Sequence, residues 1–268
     1  VKVWAIANQK GGVAKTTTTV SLGGLLAGWG FRVLLVDMDP HGSMTSYFRY
    51  DPDNMDVSVY NLFQANAEKQ ALRTEELICD TGVQGLSLLP ASLAQATLDR
   101  QAGKLNGMGL ILKGGLKQLQ DEYDYVLIDC PPLLGVLLIN ALAACDQLII
   151  PVQTEFLALK GLERMIHTLK MILKARAQPL PYVVVPTLYD QRTRAGQDSL
   201  QVLRQNYPDH LWPGVIPVDT KLRDASKSGL PATEYAPHCR AVVAYSALLE
   251  YLLRHSGQDL ASAENTIA

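Results

Sequence analysis

One segment constrains this chain more than any other: Asn8-Gln9-Lys10-Gly11-Gly12-Val13-Ala14-Lys15-Thr16-Thr17. It follows a short apolar run, Val3–Ala7, and leads directly into a helical stretch, Lys15–Trp29. A strand that feeds a helix through a glycine turn belongs to a sheet with helical crossovers, and the turn lies at the strand's carboxyl end. Glycines let the backbone wrap closely enough to aim N–H groups at an anion. The helix behind them presents its positive end to the same point. Lys15 supplies a point charge for the β- and γ-phosphates of a nucleotide, Thr16 carries a hydroxyl suited to Mg2+, and Thr17 is placed for the α-phosphate. A glycine turn before a helix can exist without a ligand, but that reading leaves Lys-Thr-Thr at the helix start unexplained.

The rest of the chain repeats the same alternation. Apolar runs recur at Arg32–Val36, Leu86–Leu89, Tyr125–Ile128, Gln147–Val152 and Tyr182–Val185, with a shorter one at Val215–Ile216. Helical patterns separate most of them: Met108–Glu122, Gly135–Ala144, Phe156–Ala175 and Gly196–Asn206. Strands that are apolar throughout are buried on both faces, which points to a parallel sheet. The spacing predicts an α/β, single-domain fold, with a mostly parallel twisted sheet flanked by helices on both faces. Polar residues close several strands, as in Asp37-Met38-Asp39-Pro40, Asp129-Cys130-Pro131-Pro132 and Pro151-Val152-Gln153. Ligands of such sheets sit beyond the carboxyl ends, so these residues gather on the binding edge. No linker or repeat interrupts residues 1–255, read as one domain; 256–268 read as a polar, flexible tail. Tyr50–Asp80 is less regular and reads as carrying short surface helices.

Composition removes several function classes. With 24 Lys and Arg against 26 Asp and Glu, the net charge of −2 excludes a generally basic nucleic-acid coat, though not a local basic patch. Cys79, Cys130, Cys145 and Cys239 form no C-x-x-C pair, which argues against a zinc cage, an iron–sulfur ligand run or a disulfide scaffold. No apolar stretch approaches the roughly 20 residues of a membrane span. The N-terminal residues lack the pattern of a secretion signal. The expectation is a cytoplasmic protein.

The ordinary Walker A pattern, G-x-x-x-x-G-K-[ST], fails at Gln9 and Ala14, and the failure coincides with an additional lysine, Lys10. In this form the segment resembles the deviant Walker A motif of the ParA/MinD family of P-loop ATPases. Other segments follow in the family's order: Val36-Asp37-Met38-Asp39-Pro40, Tyr123 to Pro132 as Walker B strand and switch II, Leu188 to Thr193, Ile216 to Asp219, and Glu234 to Pro237. The match is closer to ParA than to MinD. The last helix, Arg240–Arg254, reads as placing Val243, Leu248, Leu249, Leu252 and Leu253 on a core face, and no basic, aromatic tail follows it for membrane insertion.

The resemblance implies a sandwich homodimer of two chains and two ATP molecules, in which Lys10 reaches the triphosphate bound by the partner. It implies Gly11, Gly12, Val13, Ala14, Lys15, Thr16 and Thr17 at the phosphates. Catalysis is implied for Lys10, Lys15 and Asp39, the last orienting the attacking water. Mg2+ is implied at Thr16, Asp37 and Asp129, directly or through water; a strand-terminal Asp can also simply cap the next turn. Asn140 reads either as a switch-region partner of the phosphates or Asp39, or as a helix-surface residue. Thr187 and Pro217-Val218-Asp219 fall where the family holds adenine, and the absence of N-K-x-D favours ATP over GTP. The implied activity is slow Mg2+-dependent hydrolysis of ATP to ADP and phosphate, acting as a timer for the dimer.

Arg192, Lys221 and Arg223, with Arg194 and Lys227 nearby, fall where ParA proteins hold DNA without reading sequence. Isolated arginines are also common on solvated faces, and Asp219 and Asp224 dilute the cluster. Two departures stand out. Ala14 replaces a glycine; if that residue needs a positive φ, the methyl costs roughly 1–2 kcal/mol and impairs nucleotide binding or hydrolysis. His41 replaces the usual glutamine after D-x-D-P and resembles the ParC subgroup associated with polar chemoreceptor arrays. The implied partners are a second copy, an adaptor that stimulates hydrolysis or links to the arrays, and non-specific DNA. The implied location is the cytoplasm, at the nucleoid or a cell pole. Partition of plasmids or chromosomes is the alternative cargo role. A P-loop kinase or ligase acting on a small metabolite is the alternative chemistry, one with no use for Lys10.

Overall fold

The computed structural model describes residues 1–98, 108–172 and 179–255. Its strands are β1 (Lys2–Ile6), β2 (Val33–Asp37), β3 (Cys79–Val83), β4 (Leu86–Leu89), β5 (Tyr125–Asp129), β6 (Gln147–Gln153) and β7 (Tyr182–Thr187). They form one sheet in the order β3-β4-β2-β5-β1-β6-β7, parallel except for β3, which pairs antiparallel with β4. Six strands match the apolar runs to within two residues at each end. β3 was not expected, and Val215–Ile216 is not a strand; an isolated bridge pairs Tyr189 with Pro217 beside it.

The helices are α1 (Lys15–Gly28), α2 (Ser43–Tyr47), α3 (Val59–Glu68), α4 (Ile111–Lys117), α5 (Val136–Ala144), α6 (Phe156–Ile172), α7 (Arg194–Asn206), α8 (Lys221–Ser228), α9 (Ala232–Tyr235) and α10 (Arg240–His255). Successive strand residues point to opposite faces, and each face feeds its own core. Val3, Ala5, Leu34, Val36, Val126 and Ile128 join a cluster with α3, α4, α5 and α6. Trp4, Ile6, Val33, Leu35, Tyr125 and Leu127 join another with α1 and α10. Both faces are therefore covered, as a parallel sheet requires.

Three local expectations change. Residues 50–80 hold a regular ten-residue helix, α3, whose Val59, Leu62 and Phe63 are buried. The helix expected over Met108–Glu122 is a 3-10 turn followed by α4, which ends at Lys117. On α10, Leu248, Leu249, Leu252 and Leu253 are buried as expected, but the core valine is Val242, and Val243 is 61% exposed. The proposed tail, 256–268, and residues 173–175 of the Phe156–Ala175 pattern lie outside the described residues.

α1 is nearly all buried, so burial runs around its circumference rather than along one stripe. Gly24 lets it press against α9: a Cβ there would stand 2.5 Å from Thr233 Oγ1 and 2.7 Å from Pro231 Cβ. The Thr18 and Tyr245 hydroxyls, 3.0 Å apart, join α1 to α10 in the interior. This packing fixes the helix whose first turn forms the site.

Candidate active site

The loop between β1 and α1 is anchored at both ends. Asn8, buried, donates from Nδ2 to the Pro151 carbonyl at 2.8 Å and accepts the Lys10 N–H at 2.9 Å. Thr187, at the end of β7, donates its hydroxyl to the Val13 carbonyl at 3.0 Å. Thr187 is thus fully buried with its side chain engaged by the loop, rather than open to a base. α1 starts without a side-chain cap, which leaves its opening N–H groups for an anion. A Cβ added at Gly11 or Gly12 would meet nothing within 4 Å, so the loop borders open space.

Two lysines face that loop. Lys15, 8% exposed, curls back so that Nζ lies 3.3 Å from the Lys10 carbonyl. Lys10 extends to the end of β6, where it forms an ion pair with Glu155 and lies 3.4 Å from Gln153 Oε1. Neither partner carries a local sequence signal, since both stand more than 140 positions away.

The parallel register sets Ile6 and Asp37 on either side of Asp129. Thr16 donates its hydroxyl to Asp129 Oδ2 at 2.5 Å, while Asp129 Oδ1 is buried without a hydrogen-bond partner. Burial pushes the Asp129 carboxyl well above its usual range, helped by the charge of Asp37 and opposed by Thr16 and Lys15. A hard cation beside Thr16, or its bound water, would satisfy that orphaned oxygen. Among the described residues no three His, Cys, Asp or Glu side chains form a metal cage. A P-loop cation needs none, because phosphates and water supply most of its ligands.

Asp37, expected near the metal, lies beside Asp129 with both oxygens engaged within the protein. Its Oδ2 accepts the Thr45 N–H at 2.8 Å and the Thr45 hydroxyl at 2.7 Å, and its Oδ1 accepts the Asp39 N–H at 3.2 Å. Fully buried and with both oxygens engaged, it ties α2 to the end of β2, the capping alternative; burial pushes its pKa up to about 6. Asp39 lies beyond it, with Oδ1 taken by His41. Asn140 is neither a phosphate partner nor a helix-surface residue. It is fully buried, accepting the Leu112 N–H at 3.1 Å and donating to the Val136 carbonyl at 2.9 Å, and so joins α4 to α5.

Bulky apolar residues stand exposed on this edge. Leu133 is 69% exposed and Leu134 45% in the segment after Asp129; Phe156 and Leu157, next to Glu155, are 67% and 71% exposed. Farther along, Tyr189 N–H donates to the Ile216 carbonyl at 3.0 Å and Val218 N–H to the Tyr189 carbonyl at 3.1 Å, which sets Pro217-Val218-Asp219 beside the end of β7. Asp219 accepts the Lys221 and Ala241 N–H groups, at 3.0 and 3.2 Å, and so serves two helix starts. A groove of about 780 Å3 opens there, with Asp190, Arg192, Thr220 and Arg240 among its lining residues. Arg192 pairs with Asp190, which it holds down to about 2; Lys221 lies 3.7 Å from Asp224 and Arg194 3.7 Å from Asp198. Arg223 and Lys227 are exposed.

Ala14 has φ 69° and ψ 34°, the left-handed conformation. Such a backbone costs a residue with a Cβ roughly 1–2 kcal/mol, of which glycine forfeits part through the entropy of the unfolded chain. Ala14→Gly is therefore expected to stabilise the chain by about 1 kcal/mol, a rise in melting temperature of roughly 2–4 °C by calorimetry. Phosphate release should rise as well; equal rates in the two proteins would clear Ala14 of any impairment.

Residues 1–181 match the family described as AAA domain (AAA_31). The sporulation initiation inhibitor protein Soj of Bacillus subtilis is 37% identical over 245 residues, covering 91% of this chain and 95% of Soj. The chromosome partitioning protein ParA of Caulobacter vibrioides is 32% identical over 269 residues, covering 98% of each. The crystal structure of cobyrinic acid a,c-diamide synthase from Mycobacterium smegmatis with bound ATP analog and magnesium has a TM-score of 0.81 at 34% identity, covering 96% of each chain.

Proposed function

The chain belongs to the Soj/ParA family of P-loop AAA-domain ATPases, and we propose that it hydrolyses ATP with Mg2+ in a two-fold sandwich dimer that positions cellular cargo. The observation that carries the reading is a second lysine, Lys10, at the mouth of the Lys15 loop, on a sheet edge where Leu133, Leu134, Phe156 and Leu157 are exposed. A solitary kinase needs neither feature; a chain that meets a second copy face to face uses both, because the apolar residues are covered as the lysine crosses.

In this reading Lys15 and the opening N–H groups of α1 bind the β- and γ-phosphates. Thr16 and Asp129 would hold Mg2+, which when bound supplies positive charge to the phosphoryl oxygens. Asp39 orients the attacking water. Lys10 leaves Glu155 and adds a cation to the partner's transferring phosphoryl group, as an arginine finger does. In the unliganded chain Glu155 competes for that lysine. A half-exposed ion pair is worth at most about 1 kcal/mol. Glu155→Gln is thus expected to lower the ATP concentration at half-dimerisation roughly two- to fivefold, measured by light scattering.

Light scattering of the wild-type chain with ATP and with ADP tests the proposal, followed by phosphate release. A dimer with ATP, a monomer with ADP and slow release of phosphate are expected. One oligomeric state throughout would return the case to a metabolite kinase or ligase, which the synthase name of the Mycobacterium smegmatis structure keeps in view.

For cargo, polar chemoreceptor arrays are proposed from Asp39-Pro40-His41-Gly42-Ser43, with an adaptor as link, and a location in the cytoplasm at the nucleoid or a pole. Partition of DNA is the second reading, favoured by the names of Soj and ParA relatives. Non-specific DNA binding would use Arg192, Lys221 and Arg223, of which Arg192 and Lys221 have carboxylates beside them. Any affinity should then be weak and fall steeply with salt. Among the described residues no helix is long and apolar enough to cross a membrane.

A further inference from the structure

His41 makes two contacts with one atom. Its backbone N–H lies 3.0 Å from Asp39 Oδ1 and its ring Nδ1 lies 2.9 Å from the same oxygen. The segment is a closed turn, with the Gly42 N–H on the Asp39 carbonyl at 2.8 Å. A carboxylate oxygen has two in-plane acceptor sites, so this pair of donors fixes the rotation of the whole carboxylate. Its other oxygen, Oδ2, has no hydrogen-bond partner among the described residues. The Asp39 side chain is only 15% exposed, whereas that of His41 is 80% exposed. The imidazole therefore contributes little packing, and its contact with Asp39 is the interaction through which it can act on the site.

We propose that His41 is a positioning residue for hydrolysis: it engages Asp39 Oδ1 from the solvent side and so presents Oδ2 to the attacking water. The inference rests on the ATPase reading above. It requires the ring to carry hydrogen on Nδ1, which leaves Nε2 toward solvent. A glutamine at this position also ends in an N–H donor and can make the same contact, whereas alanine keeps only the backbone N–H.

The test is steady-state phosphate release by wild type, His41→Ala and His41→Gln, with the dimerisation midpoint in ATP measured alongside. Loss of one hydrogen bond to a catalytic carboxylate predicts about a tenfold fall in kcat for His41→Ala. KM for ATP, the dimerisation midpoint and the melting temperature should stay close to wild type. His41→Gln should recover kcat to within about threefold. An active wild type with His41→Ala at the same kcat, or with KM and kcat shifted together, overturns the inference and leaves the ATPase reading standing. Failure of His41→Gln to recover also overturns it. A wild type that releases no phosphate removes both.

Discussion

Lys10→Ala should reduce ATP turnover by at least about a hundredfold and abolish the ATP-dependent dimer, while the chain remains folded. A cation supplied to the transferring phosphoryl group across an interface is worth on the order of 10³–10⁵ in rate. Lysine offers a point charge without the bidentate fork of arginine, so the lower end of that scale is the safer expectation. The loss to stability is small by comparison, because the Lys10–Glu155 pair is half-exposed and such pairs contribute at most about 1 kcal/mol. Phosphate release at saturating ATP, with circular dichroism to verify the fold, measures both. Turnover at the wild-type rate would mean that Lys10 is a loop lysine in solvent, and the dimer mechanism would fall with it.

Asp39→Ala should cost about as much in rate, roughly 10²–10⁴ for removal of a group that handles the water proton, but with the opposite effect on assembly. Among the described residues Asp39 forms no ion pair with Lys10 or Lys15, and its backbone N–H can still reach Asp37 Oδ1. ATP binding and dimerisation should therefore persist, and dimers should accumulate because nothing discharges them. Light scattering over time separates the two variants: Lys10→Ala stays monomeric with ATP, and Asp39→Ala stays dimeric long after wild type has relaxed. If both variants stay monomeric, Asp39 belongs to nucleotide binding rather than to chemistry.

The sheet was readable in the sequence because parallel strands buried on both faces carry unbroken apolar runs, as Val33 to Val36 and Leu148 to Ile150 do. β3 escaped notice for the converse reason. Cys79-Asp80-Thr81-Gly82-Val83 is an edge strand with one buried residue and a register break, so neither apolarity nor alternation marks it. Val243 was misplaced because adjacent valines differ by about 100° of helix rotation and the sequence does not say which of them joins the core. In the site, the lysines, glycines and strand-end aspartates declare themselves through local spacing. Partners brought in by the fold do not: Glu155 and Gln153 at Lys10, Thr187 at the Val13 carbonyl, Thr45 at Asp37. Asn140 was misread because an asparagine amid apolar residues looks the same whether it serves a ligand or two backbone groups of the interior.

The two flanks of the sheet are both blunted. Beyond β7, residues 210–216 take up the outward backbone groups, with the Val184 N–H on the His210 carbonyl at 2.7 Å, the Trp212 N–H on the Val184 carbonyl at 3.0 Å and the Ile216 N–H on the Pro186 carbonyl at 2.8 Å. At the other flank the short, bulged β3 offers a poor template. Lateral zippering into fibrils is thereby discouraged. Growth by strand addition would have only the short, bulged β3 to build on.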